Sequence, residues 1–261
     1  MEVIIQKDSR AAALLVAQLI AKELKAKPPL VLGLATGRTM ESVYRELIRL
    51  HAEEGLDFSL CRTFNLDEYV GLAPDHKGSY RRFMNTRLFD HINIDQRNTR
   101  VPDGLARDLD SECQGYERRI AECGGIDLQL LGIGVAGHIG FNEPLSALRS
   151  RTREKALSPA TIAQNAPLFD APGQMPKRGI TMGVGTILDS RYCIMLATGS
   201  EKAPIVAKAV EGPITAMVSA SALQLHPRCR VVVDEAAAAR LQGTDYYRWI
   251  FQNEPEWEEF R

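Results

Sequence analysis

Val31-Leu32-Gly33-Leu34-Ala35 runs without a polar break into Thr36-Gly37-Arg38-Thr39, and Met40, Val43, Tyr44, Leu47, Ile48 and Leu50 then recur at helical spacing. A short apolar run that stops at a polar, Gly-containing turn and resumes as an amphipathic helix is half of a βαβ unit. The same pattern recurs outward from this stretch. It predicts strands near residues 30–35, 61–66, 127–133, 192–198 and 229–233, and helices over 8–25, 39–51, 110–123 and 202–210, the first capped by Asp8 or Ser9. Val-, Ile- and Leu-rich strands alternating with helices specify an α/β fold: a mostly parallel sheet buried under helices on both faces. With no repeat and no linker-like tract in 261 residues, one domain over 1–261 is expected, with a Pro-containing, mobile, lid-like excursion at 158–177.

Composition narrows the function classes. The 32 Lys+Arg balance 33 Asp+Glu, so no summed field exists to hold a nucleic acid or an anionic bilayer. The longest apolar stretch, 11–21, is interrupted by Gln18 and falls short of the ~20 apolar residues that a membrane span needs. The start, Met1-Glu2-Val3-Ile4-Ile5-Gln6, has neither a basic leader nor a signal-type apolar core, so the cytoplasm is the expected location. Cys61, Cys113, Cys123, Cys193 and Cys229 form no C-x-x-C pair, and neither a disulfide frame nor a metal site is expected.

Open α/β sheets bind ligands at the carboxyl ends of their strands, and four strand ends here carry chemistry. Thr36-Gly37-Arg38-Thr39 and Thr198-Gly199-Ser200-Glu201-Lys202 each place hydroxyls, backbone N–H groups and a cation where a helix begins, an arrangement suited to a phosphate. Either alone reads equally well as a capped turn; two on one sheet edge point to anion binding. Gly132-Ile133-Gly134-Val135-Ala136-Gly137 satisfies the G-x-G-x-x-G pattern of dinucleotide sites. The required long helix cannot follow, because His138-Ile139-Gly140-Phe141-Asn142-Glu143-Pro144 brings Gly and Pro. That loop instead offers an imidazole and a carboxylate, and Asp67-Glu68 offers a second carboxylate at another strand end. Groups of different natural pKa at one edge suit proton transfer. From the residues alone, the expectation is proton transfer on a phosphorylated small molecule, with no metal and no cofactor.

The pieces that carry this reading resemble the glucosamine-6-phosphate deaminases (isomerases). The resemblance spans about residues 30–235 and rests on Leu32 to Gly37, on Thr63-Phe64-Asn65-Leu66-Asp67-Glu68-Tyr69-Val70-Gly71-Leu72, on Gly137 to Pro144, on Gly183 to Thr186 and on Leu223 to Pro227. It implies a Rossmann-like α/β fold and cofactor-free conversion of glucosamine 6-phosphate and water into fructose 6-phosphate and ammonia. By position it makes Asp67 the base between C2 and C1, and His138, supported by Glu143, the group that opens the sugar ring. Thr36, Gly37, Thr39 and Lys202 fall on the phosphate cradle. Ser146, Arg153 and Lys155 fall on residues that some members use to bind an activating N-acetylglucosamine 6-phosphate, and a homo-oligomer is expected.

Three positions depart from the family pattern. Ala136 stands where a carboxylate or amide usually supports the ring-opening His, Pro167 where some members have a phosphate-binding Arg, and Arg38 where many have Gly. Arg38 is expected to supply the phosphate guanidinium from the loop, leaving Glu143 to orient His138. Another hexosamine phosphate, such as the galacto epimer, or a sugar-phosphate sensor without turnover, remains the alternative reading.

Overall fold

The computed structural model describes residues 1–169 and 174–261. Along the chain the strands are β1 (Glu2–Gln6), β2 (Val31–Leu34), β3 (Arg62–Asn65), β4 (Asp67–Tyr69), β5 (Thr99–Arg100), β6 (Leu128–Leu131), β7 (Arg153–Ala156), β8 (Arg178–Thr181), β9 (Tyr192–Ala197) and β10 (Cys229–Asp234). The helices are α1 (Ser9–Ala26), α2 (Arg38–Glu54), α3 (Tyr80–Arg87), α4 (Leu109–Glu122), α5 (Pro159–Asn165), α6 (Val184–Leu188), α7 (Ala203–Val210), α8 (Glu235–Ala238) and α9 (Thr244–Asn253).

Seven strands form one parallel sheet in the order β1-β10-β9-β6-β2-β3-β5. Every residue of β2, β6 and β9 is buried, as a sheet covered on both faces requires. α1 begins where the Asp8 carboxylate accepts from the Ala11 N–H at 2.8 Å, and it buries Ala12, Leu15, Val16, Leu19 and Ile20 in the core. α2 begins at Gly37, whose φ of 109° a side chain would strain, and ends on left-handed Gly55. The five expected strands and four expected helices are all present, with ends shifted by a few residues.

From β2 the chain first builds outward through β3 and β5, then crosses back to lay β6, β9 and β10 on the other side. The loops leaving β2 and β6 therefore diverge, and a crevice opens between them at the carboxyl edge. Over this edge lies a second sheet, antiparallel, in the order β4-β8-β7. Here the expectation for Asp67-Glu68 needs correction, because both belong to strand β4 rather than to a loop, with Asp67 opposite Thr181 in β8. The second sheet encloses a small apolar cluster of Tyr69, Phe141, Leu157, Phe169 and Met175. Ser158 to Lys177 also differs from the irregular stretch expected. Ser158 caps α5 by accepting from the Thr161 N–H at 3.2 Å, and Pro159 takes the first turn. The rest of the expected excursion includes 170–173, which lie outside the described residues.

Candidate active site

The first wall is the β2–α2 turn. Gly37 leaves the start of α2 without a side-chain cap, so the N–H groups of Arg38 and Thr39 stand at the positive end of the helix. Arg38 is exposed, and Thr36 bonds the phenol of Tyr80 on α3. The second wall is the turn after β9, where Gly199 has a φ of 94° and Lys202 ends a 3-10 turn that leads into α7. Lys202 therefore precedes α7 rather than sitting one turn inside a helix. Its Nζ donates to the Ile133 carbonyl at 2.9 Å. Burial lowers the Lys202 ammonium from its usual range and the nearby Arg38 charge adds to this, while Glu201 opposes it. Two cations of the expected cradle thus come close enough to feel each other.

Between these walls runs the loop after β6, followed by no helix until Pro159, so the helix that a dinucleotide fingerprint requires does not follow these glycines. The Gly134 N–H donates to the His138 carbonyl and the Gly137 N–H to the Gly134 carbonyl, both at 2.9 Å, curling the loop on itself. A Cβ on Gly134 would lie 2.1 Å from Nε2 of His138, so the imidazole occupies the space that glycine leaves open. Asn142 ties the far end down, donating to the carbonyls of Ile139 and Met182 at 2.8 Å.

Asp67 faces this loop. A Cβ on Gly140 would stand 3.6 Å from Oδ2 of Asp67, an ordinary contact that shows how close loop and carboxylate lie, and 2.8 Å from Oγ1 of Thr181, where it would clash. Asp67 is 6% exposed. Burial pushes its pKa up to about 8, with the neighbouring Glu68 charge adding to the rise. Glu68 points away into a cradle of four donors: the N–H groups of Tyr69, Tyr80 and Arg81 at 2.8, 3.0 and 2.9 Å and the Ser79 hydroxyl at 2.8 Å. One acid of the pair is a structural cap, and the other is left poorly solvated at the crevice.

Glu143 lies on the opposite flank. Its Oε2 stands 3.4 Å from Nδ1 of His138, and both atoms are buried without a hydrogen-bond partner of good geometry. Burial raises its pKa, but the His138 imidazole and hydrogen bonds from Thr161 and Ser158 outweigh that and hold it at about 2. A carboxylate that stays ionised beside an imidazole fixes the orientation of the ring. Ala136 offers His138 nothing comparable.

Asp67, His138, Glu143, Thr36 to Thr39 and Lys202 are thus gathered at the carboxyl edge. Ser146 and Arg153 are joined, with the Arg153 guanidinium 3.1 Å from the Ser146 hydroxyl and 2.9 Å from Oδ1 of Asn142, while Lys155 is exposed on β7. Pro167 is also exposed, in a 3-10 turn after α5. Tyr69, Tyr80, Thr161 and Asn165 were not singled out from the sequence. Asn165 donates to the Tyr69 hydroxyl at 3.0 Å, and that hydroxyl lies 3.2 Å from the Tyr80 hydroxyl, which links α5 through two phenols to Thr36. Tyr69 follows Asp67-Glu68 in a quoted motif, but the others carry no local signal of this role. The described residues contain no His, Cys, Asp and Glu grouping suited to a metal ion, and two other clefts, one with Arg62, Arg100 and Arg119, the other with Met1, Tyr192 and Arg230, contain none of these site residues.

The family model for glucosamine-6-phosphate isomerases and 6-phosphogluconolactonase matches residues 6–232. A glucosamine-6-phosphate deaminase of Shewanella woodyi is 51% identical over 250 residues, covering 96% of this chain and 95% of its own. One from an Arthrobacter species is 49% identical over 258 residues, covering 99% of both chains. Among solved structures, a monomeric glucosamine-6-phosphate deaminase superposes with a TM-score of 0.90 at 43% identity, over 92% of this chain and 100% of that one. The 6-phosphogluconolactonase of Leishmania guyanensis shares the fold, with a TM-score of 0.71 at 20% identity over 91% of this chain and 97% of its own.

Proposed function

The chain belongs to the glucosamine-6-phosphate isomerase and 6-phosphogluconolactonase family, and from that premise we propose that it is a glucosamine-6-phosphate deaminase acting without a cofactor. The observation that carries the reading is the gathering, at one sheet edge, of a poorly solvated carboxyl at Asp67, an imidazole paired with an ionised carboxylate at His138 and Glu143, and the cations Arg38 and Lys202.

In the proposed mechanism the 6-phosphate rests on the N–H groups and hydroxyls of Thr36 to Thr39, with Arg38 and Lys202 neutralising its charge. Lys202 is already anchored to the loop that carries His138, which fixes the distance between phosphate and ring. His138 takes the proton of the anomeric hydroxyl and returns one to the ring oxygen, opening the pyranose to the aldehyde. Only then is the C2–H acidic, because the electron pair it leaves can move into the C1 carbonyl. Asp67, in its ionised form, removes that proton and delivers one to C1, converting the aminoaldehyde through an enolamine to the imine at C2. Water adds to that carbon, and the C–N bond breaks to release ammonia and fructose 6-phosphate. The burial that raises Asp67 brings a carboxylate closer in basicity to this task.

Ammonia and fructose 6-phosphate should be measured in parallel with glucosamine and galactosamine 6-phosphates. Release from the first supports the proposal, preferential release from the second gives the alternative epimer, and binding without release gives a sensor. A homo-oligomer in the cytoplasm is proposed as the working state, with a single chain as the alternative raised by the monomeric relative; light scattering separates the two. No helix among the described residues is long and apolar enough to cross a membrane. Ser146, Arg153 and Lys155 are proposed as an activator site, tested by whether N-acetylglucosamine 6-phosphate lowers the KM.

A further inference from the structure

The two oxygens of the Glu143 carboxylate, a side chain only 7% exposed, have different surroundings. Oε2 faces Nδ1 of His138. Oε1 accepts from the Thr161 hydroxyl at 2.5 Å and from the Ser158 N–H at 3.0 Å, both at the start of α5. Thr161 is 3% exposed, and its oxygen also receives the Ser158 hydroxyl at 3.1 Å. A hydroxyl has one proton to give, so with Ser158 donating to Thr161, the Thr161 proton is committed to Glu143. Two donors on one oxygen stop the carboxylate from rotating and leave the other oxygen to the imidazole.

We propose that Thr161, with the Ser158 amide, is a positioning residue for ring opening: it locks Glu143 so that Oε2 presents to Nδ1 of His138 and leaves Nε2 to move the proton. This rests on the proposed roles of His138 and Glu143. It also explains how the site works with Ala136 in place of a supporting polar residue, since the support comes through Glu143 from α5. The titratable group facing the carboxylate from its own loop is His138. From β7, the Arg153 guanidinium bonds Asn142 and Ser146 rather than Glu143, and α5 brings only neutral side chains. The low pKa of Glu143 accords with this, because both donors favour its ionised form.

Thr161→Val keeps the shape and removes the hydroxyl; Thr161→Ser keeps the hydroxyl. Steady-state kinetics on glucosamine 6-phosphate should be run on both, with thermal melts as the fold control. The expected result for Thr161→Val is a kcat lower by about tenfold or more, from loss of a hydrogen bond to a charged group, with KM changed by less than about threefold. Thr161→Ser should restore kcat. Wild-type kcat in Thr161→Val would overturn the proposal, as would Thr161→Ser as impaired as Thr161→Val. Should Thr161→Val not fold, the Ser158 pair decides. Ser158 has a φ of −69°, which a proline adopts, so Ser158→Pro removes the amide donor that Ser158→Ala keeps. The proline variant is expected to have the lower kcat, and equal values overturn the proposal. Wild-type protein that releases no ammonia would instead overturn the reading of the site on which the proposal rests.

Discussion

Replacing Asp67 by Asn should abolish turnover and stabilise the protein in alkali. Burial, with Glu68 adding, lifts this carboxyl from 3.8 to about 8. The folded chain therefore holds a proton that the unfolded chain has released, and the stability this proton confers is complete below 3.8 and disappears as pH rises through about 8. Integrated from pH 5 to pH 9, the wild type should lose about 4 kcal/mol relative to a variant that cannot ionise there. For a chain of this size, ~1 kcal/mol moves Tm by roughly 2–4 °C, so the Tm difference between Asp67→Asn and wild type should widen by about 8–16 °C over that range. Asn matches the protonated acid in shape, so the two proteins should differ least at pH 5. Differential scanning calorimetry at several pH values without ligand reads this directly. A Tm difference that stays constant from pH 5 to 9 would mean that Asp67 ionises normally and that its proposed basicity is wrong.

Gly134→Ala should lower kcat by about hundredfold with an unchanged circular dichroism spectrum, because its Cβ would take the place of Nε2 of His138 and displace a reacting group; wild-type kcat would show that the imidazole works from elsewhere. Arg38→Ala and Lys202→Ala should each raise the KM for glucosamine 6-phosphate by about 10–100-fold through loss of a charge-assisted contact, and an unchanged KM for Arg38→Ala would remove that residue from the cradle. Glu68→Gln should destabilise the chain by about 2 kcal/mol in urea, because an amide cannot satisfy four donors on one side chain. It should also shift the pH profile of kcat/KM to lower pH as Asp67 loses a like-charged neighbour; a profile unmoved by this change would sever the two acids.

The parallel sheet was readable because its central strands are buried on both faces and so appear as unbroken apolar runs, as in Leu128 to Leu131 and Tyr192 to Ala197. The strands that escaped notice lack that property. β5 has two residues, β7 is Arg153-Glu154-Lys155-Ala156, and β4 consists of Asp67, Glu68 and Tyr69, polar residues held by pairing with β8 rather than by pattern. β1, with Val3, Ile4 and Ile5, did carry a strand signal. Ser158-Pro159 at the head of α5 carried a helix-start signal, a cap followed by a first-turn proline. The candidate site residues beside glycines at strand ends could be proposed from the sequence because ligand chemistry at an α/β edge has a position in the chain order. Contacts across many residues were not. Nothing near Thr161 announces Glu143, 18 residues away, and nothing near Lys202 announces the Ile133 carbonyl. The raised pKa of Asp67 comes first from burial and then from the Glu68 charge, and that burial exists only once β4 is assembled against β8 and the Gly140 loop.

The most direct test of the account is the fate of the C2 hydrogen. Glucosamine 6-phosphate carrying deuterium at C2 should be given to the wild type and to Asp67→Asn, with ammonia, product label and binding followed together. The wild type is predicted to release ammonia, with the deuterium recovered at C1 of fructose 6-phosphate or in water, while Asp67→Asn binds the substrate but neither releases ammonia nor exchanges the label. Ammonia release by Asp67→Asn at the wild-type rate would contradict the account.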